Sequence, residues 1–246
     1  DVLRSRIDKL FSKQAIKDLE HGKRLTPGQL AFLKSLSPTP DVLRALAGKD
    51  PSLAMLVSGL FSAQLSAKPE LAGIPWIGLT GARTHAPDFP AIAQPTLADV
   101  ARNVCAIALG AGDTLLERTK AHATSRVQFP GLFKDEDGRD GIAKFGAVKA
   151  LISEMEALMY VLEALPAYVT SDAALVKILA SESFLTIAYD AGQVFGGTAH
   201  LQEDKTQLGV LTRQGCQNCF LSNRGQNHKA IFTANIITTA SPAATG

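Results

Sequence analysis

The chain has 246 residues, of which 46% are hydrophobic and 20% charged, which is the balance of a globular protein that can bury a core. Its formal net charge of +2 excludes a broad electrostatic surface for nucleic acid, and no apolar run reaches the roughly 20 residues that a transmembrane helix requires. Three cysteines are too few for a disulfide framework, so we expect a reducing compartment, either the cytoplasm or the mitochondrial matrix.

Short helices are predicted along residues 1–67. Thr26-Pro27-Gly28-Gln29 has a capping threonine, a proline at the first helical position and a glutamine at the third, which together form a capping box. The pattern of a cap followed by proline recurs at Thr39-Pro40 and Asp50-Pro51. Leucines at helical spacing follow these starts, so the sequence predicts a small N-terminal helical region.

Residues 68–98 interrupt this pattern with prolines and glycines, and no alternation typical of a strand lasts more than a few residues. We interpret this stretch as a linker or an extended excursion. It is too short to hold a separate sheet domain.

Apolar residues recur at steps of three and four in several segments of residues 99–240, which is the period of an α-helix. In the second segment the apolar stripe is wide enough to be buried on two sides, as in a bundle interior. Long helices with short connections favour an up-and-down four-helix bundle. The sequence therefore predicts an all-α protein, in which this bundle joins the smaller N-terminal region. The first segment runs from residue 97 toward the helix end at Arg126, and the other three cover about residues 145–165, 172–195 and 228–239.

Two ordered motifs give these helices a family resemblance. Residues 122–129 read His-Ala-Thr-Ser-Arg-Val-Gln-Phe, and residues 190–197 read Asp-Ala-Gly-Gln-Val-Phe-Gly-Gly, with Glu203-Asp204 and Arg213 after them. The acyl-CoA dehydrogenases have a helix that ends in Arg-x-x-Phe. A later helix ends in Gln-x-x-Gly-Gly before an acidic stretch and an arginine. The chain resembles this family over about residues 97–237, and more weakly over 41–66, and it is most similar to the very-long-chain branch.

The resemblance implies that six residues contact an FAD cofactor. An arginine fork suits the pyrophosphate of FAD, because it can bond two oxygens at once, and paired glycines let the backbone approach a ligand closely. Read without the resemblance, the same arginine is a surface residue at a helix end and the glycines are a helix C-cap. The six residues are Arg126, Gln128, Phe129, Gln193, Gly196 and Gly197.

The resemblance also implies an activity and partners. We expect an FAD-dependent oxidoreductase of fatty acid metabolism, a flavoprotein that carries out α,β-dehydrogenation of fatty acyl-CoA thioesters. In the family the flavin-contact residues commonly act across a subunit interface, which implies a homodimer or homotetramer. The wide apolar stripe at 145–165 predicts that the subunits meet through the C-terminal bundle. The implied electron acceptor is an electron-transfer flavoprotein.

The chain departs from the family at the catalytic base. The family glutamate follows the arginine that Arg213 matches, but the best match here places Arg224 at that position, and a direct count places Ser222 there. Neither side chain can act as the usual carboxylate base. Cys216-x-x-Cys219 has no second ligand pair, so no metal site is predicted.

The second departure is the family's middle β domain, for which only residues 68–98 are available. We expect it to be absent from this chain, either because the protein has lost it or because this sequence omits residues between its two helical parts. Both departures favour an alternative function, a catalytically silent family member that acts as a structural or assembly subunit.

Overall fold

A computed structural model describes residues 2–60, 85–90, 96–130 and 141–200. Within these ranges the chain forms α-helices, short 3₁₀ turns and one isolated β-bridge, between Val127 and Gly141, and it forms no β-strand. The prediction of an all-α fold is confirmed for this part of the chain. Its helices are α1 (Val2–Leu10), α2 (Lys13–Glu20), α3 (Pro27–Lys34), α4 (Pro40–Ala47), α5 (Pro51–Val57), α6 (Leu97–Ser125), α7 (Gly146–Ala164) and α8 (Ala173–Phe195).

The predicted helix starts in the N-terminal region are confirmed. The Thr26 hydroxyl accepts from the backbone N–H of Gln29, and the Gln29 side chain accepts from the backbone N–H of Thr26 at 2.9 Å. Thr39 caps α4 by accepting from the backbone N–H of Val42, and Asp50 caps α5 by accepting from that of Ser52; each is followed by proline. Such a cap stabilises a helix by about 1 kcal/mol because it satisfies an otherwise unpaired backbone donor.

The N-terminal helices share one hydrophobic core, and that core extends onto α6. Apolar side chains from α1 to α5 meet at its centre, and Ala106 and Ile107 of α6 complete it. The N-terminal region therefore buries its apolar surface partly against the long helix. The fully buried side chains of this core include Ile7, Phe11, Ile16, Leu33, Leu43, Leu46 and Leu53.

Helices α4 and α6 approach closely because a glycine lies at their crossing. A Cβ atom at Gly110 would lie 2.0 Å from the carbonyl oxygen of Arg44, so no larger residue fits there without separating the helices. The Arg44 side chain then bonds Asp113 of α6 at 2.7 Å and Glu163 of α7 at 3.0 Å. This charged group links three helices at the edge of the core.

A second core lies between α6, α7 and α8. A Cβ atom at Gly112 would meet side-chain atoms of both Met159 and Ile187, which places these three residues at one level of the packing. The C-terminal ends of α6 and α8 lie together, so those two helices run parallel and α7 runs antiparallel to them. The predicted fourth segment, 228–239, lies outside the described residues, as does most of 68–98.

Cys105 lies in this second core, as its position on an apolar helix face predicts. It is fully buried, and burial raises the pKa of its thiol to about 12. In the ranges that the structure describes, no helix combines the length and the apolar character needed to cross a bilayer.

Candidate functional site

The C-terminal ends of α6 and α8 carry the two sequence motifs, and we call residues 122–129 together with 193–197 the motif end of the molecule. Helix α6 ends at Arg126, whose backbone N–H donates to the His122 carbonyl at 2.8 Å. Helix α8 ends at Gly196, whose backbone N–H donates to the Gly192 carbonyl. The prediction that Arg126 lies where a helix gives way to a loop is confirmed.

An aromatic stack joins the two helix ends. The His122 ring lies flat against the Phe195 ring, with centroids 4.3 Å apart and planes 15° apart. Phe195 is buried and His122 half-buried, so the stack is part of the packing between α6 and α8. Sequence reasoning placed both residues beside the motifs but did not predict this contact, which brings the motifs to the same end of the bundle.

The backbone around Arg126 is fixed on both sides. The Arg126 carbonyl accepts from the backbone N–H of Ile142 at 2.9 Å, and the next residue, Val127, forms the bridge to Gly141. The guanidinium group is half-buried and forms no ion pair with another residue of the described ranges. The backbone of Arg126 is therefore held, and none of the described carboxylates pairs with its side chain.

Gln128 and Phe129, the two residues after Val127, are exposed to solvent. Phe129 is 65% exposed, with its ring centroid 6.4 Å from that of Phe145. Phe129 also has a φ of +57°, an unfavourable conformation for a residue with a bulky side chain. Exposed aromatic residues in strained backbone conformations occur often at ligand sites, since the surrounding structure must hold them there.

The predicted residues at the C-terminal end of α8 are exposed. Gln193, Gly196 and Gly197 are all exposed, and a Cβ atom at either glycine would meet no atom of the described residues within 4 Å. Gly196 has a φ of +60°, which only glycine adopts easily, so it also serves to end the helix. The Thr198 hydroxyl donates to the Phe195 carbonyl at 2.7 Å.

Two features of these helix ends could contact an anionic ligand. Among the described residues the Arg126 guanidinium has no ion-pair partner, so it can offer a fork to two oxygens, and no atom lies close above the two glycines. Gln193 can both donate and accept hydrogen bonds. The six residues of the predicted cofactor set thus lie at two helix ends that the His122–Phe195 stack brings together, whereas the predicted catalytic positions, Ser222 and Arg224, lie outside the described residues.

Sequence reasoning missed one polar residue next to this surface. Asp190 lies one turn before Gln193 and is 4% exposed. Burial, and secondly the nearby charge of Glu154 on α7, raise the pKa of its carboxyl above the usual range. No sequence signal could have shown this, because its burial depends on how the helices pack.

An open cleft of about 350 Å³ lies elsewhere, between α1, α4 and α6, and none of its lining residues belongs to the motif end. Across the described ranges, no three His, Cys, Asp or Glu side chains come together as metal ligands would. Comparison of the chain with models of known families and with curated proteins found no match to either.

Proposed function

We propose that this protein is an FAD-dependent oxidoreductase that carries out α,β-dehydrogenation of fatty acyl-CoA thioesters, in the manner of the acyl-CoA dehydrogenases. The observation that carries the proposal is the stack of His122 on Phe195. Residues 122–129 and 190–197 are separated by about 60 positions in the sequence, yet this stack brings their helix ends together. This is the arrangement that a shared ligand of the two motifs requires.

Three residues at the motif end would contact the cofactor. The Arg126 guanidinium would hold the pyrophosphate, and Gln193 would bond the same ligand from α8. Gly197 would let the backbone come close, because it has no side chain and lies beneath open space. Bound FAD would supply the hydride acceptor of the reaction. The proton acceptor is not among these residues, and Arg224 or Ser222 occupies its expected position.

The role of Arg126 can be tested by its removal. In Arg126→Ala we expect the dissociation constant for FAD to rise about 10- to 100-fold, since a charge-assisted hydrogen bond to phosphate is lost. Titration of protein fluorescence with FAD measures this. The matched control is Arg102→Ala, at the other end of the same helix, where the guanidinium is 3.2 Å from Asp99. Equal affinity of the two variants for FAD would contradict the assignment of Arg126.

Two glycine-to-alanine substitutions, one of them just after α8, give an independent test of the proposed FAD site. Gly197→Ala adds one methyl group to the proposed phosphate surface, whereas Gly28→Ala adds one to an equally open position far from it. Only the first substitution should weaken FAD binding. Neither should lower the melting temperature, because neither new atom meets another of the described residues, and Gly28→Ala should raise it slightly through helix propensity.

We further propose that the protein forms a homodimer or homotetramer through its helical bundle. Within the described ranges α7 buries only Met155, Met159 and Leu162 fully, although it is apolar over much of its surface. Tyr160 is 77% exposed on this helix, and Tyr189 is 66% exposed on α8. Large exposed aromatic residues on neighbouring helices are typical of protein–protein interfaces.

Sedimentation of the purified chain at micromolar concentration tests the assembly. We expect a mass of two or four chains, because the apolar face of α7 gains a partner on association. The variant Tyr160→Glu should shift the distribution toward the monomer. A purely monomeric unmodified chain would contradict the proposal.

The remaining parts of the proposal follow from the resemblance: an electron-transfer flavoprotein as electron acceptor, and a location in the cytoplasm or mitochondrial matrix. A protein that assembles but binds no FAD would instead be the silent structural subunit.

A further inference from the structure

Asp190 is a buried carboxyl group close to the motif end. It is 4% exposed, and among the described residues its Oδ2 atom has no hydrogen-bond partner. Burying an oxygen of an ionised carboxylate without a hydrogen-bond partner costs free energy, and such an atom in a folded protein calls for an explanation. Asp190 in its ionised form therefore destabilises the folded state, so we expect this residue to have a role other than stabilisation of the fold.

The charge on α7 that acts on Asp190 is negative, so it does not stabilise an ionised Asp190. Glu154 is exposed on that helix and carries a second negative charge. Burial, followed by this repulsion, raises the pKa of the Asp190 carboxyl. Both effects favour the protonated, neutral form of the group.

Helix α6 does not supply a partner either. One turn before the stacked histidine, Thr119 is buried, but its hydroxyl donates to a carbonyl of its own helix at 2.7 Å. Glu117 and Lys120 are exposed, and Lys120 pairs with a carboxylate of α7. Arg118 is half-buried, yet the only charge that shifts the pKa of Asp190 within the described residues is that of Glu154.

Asp190 is also close to where an anion would bind. It lies one turn before Gln193 and about 9 Å along the helix axis from Gly196, at about 1.5 Å per residue. The C-terminal end of a helix itself carries partial negative charge. An ionised Asp190 would add to this negative charge and repel phosphate groups, whereas a neutral Asp190 would not.

We propose that Asp190 is a proton-binding site coupled to anion binding at the motif end, and that it takes up a proton from solvent when the pyrophosphate of FAD binds there. The inference rests on the proposed function, because it takes FAD as the ligand. FAD then binds more tightly to the protein whose Asp190 carries a proton. Linkage requires the reverse effect as well, so bound FAD raises the pKa of Asp190 further.

The test is the pH dependence of FAD affinity in the full chain. Between about pH 4 and pH 8 we expect the affinity to fall about three- to tenfold as Asp190 ionises, which is the size of a screened repulsion over this distance. Asp190→Asn should bind FAD with an affinity that is nearly constant over the same range, and more tightly than the unmodified chain at pH 8. Glu154→Gln should move the transition to lower pH. Glu117→Gln, an exposed carboxylate on α6, is the control and should keep the transition unchanged.

A second measurement uses the unmodified chain, so it does not require that any variant folds. Carbon-13 NMR of the Asp190 carboxyl in the unmodified chain should show a pKa above the usual aspartate range, and addition of FAD should raise it. If FAD binds with an affinity independent of pH, or Asp190→Asn keeps the pH dependence, this inference is overturned and the proposed function stands. If FAD binds at no pH, both are overturned.

Discussion

Replacement of Arg224 by glutamate is expected to speed the reduction of bound flavin by acyl-CoA about 100- to 10,000-fold. Dehydrogenation begins with removal of a proton α to the thioester carbonyl, and an arginine stays protonated at any working pH, so it cannot accept that proton. A carboxylate at this position can. The unmodified chain should therefore bind acyl-CoA and reduce its flavin very slowly. Anaerobic stopped-flow absorbance with acyl-CoA substrates of several chain lengths measures both rates.

Ser222→Glu is the comparison that decides between the two expected positions of the base. If Ser222→Glu reduces its flavin faster than the unmodified chain and Arg224→Glu does not, Ser222 occupies the position of the catalytic base. Rapid flavin reduction by the unmodified chain would show instead that another carboxylate is the base. If no variant reduces its flavin although each binds FAD, the protein is not a dehydrogenase, and the structural subunit is the better account.

Gly110→Ala is expected to lower the free energy of unfolding by about 3 kcal/mol, at the upper end for overpacking. The new Cβ atom would lie 2.0 Å from a backbone carbonyl oxygen of Arg44, and backbone cannot rotate away as a side chain can. Helices α4 and α6 would have to separate, which also opens the core that they share. For a chain of this length the melting temperature should fall by roughly 6–12 °C. Thermal and urea unfolding, followed by circular dichroism, measure the effect.

Two other helical glycines serve as graded controls for Gly110. At Gly112 the nearest atom, 2.5 Å from an added Cβ, is the Sδ of Met159, which can move, so the cost there should be smaller. At Gly192 there is open space, and alanine should raise stability by up to about 1 kcal/mol through helix propensity. Equal stability of the Gly110→Ala and Gly192→Ala variants would show that α4 and α6 are not in close contact.

The local structure of the helices could be predicted from the sequence because it depends on neighbouring residues. Thr26 and Gln29 lie three positions apart and form their capping box regardless of the rest of the fold. The predicted third segment of the bundle, 172–195, matches α8 with its Asp172 cap. The apolar stripe at 145–165 likewise matches α7 within one residue at each end.

The contacts between helices could not be predicted from local patterns. They depend on the angles at which helices cross and on which residues of the two helices lie side by side. The stack of His122 on Phe195 and the crossing at Gly110 join residues that are distant in the sequence. The burial of Asp190 has the same origin, because its helix face becomes an interior only when α8 packs on its neighbours. At the candidate site, the sequence therefore indicated the residues, and the structure added the contact between the two helix ends that carry them.

The central claim is that the motif end binds FAD, and titration of the full chain with FAD tests it most directly. The purified protein should be yellow, or become so on addition of FAD, and should retain one flavin per chain after free cofactor is removed. Visible absorbance after gel filtration measures the ratio. A chain that stays colourless after incubation with excess FAD would contradict the account.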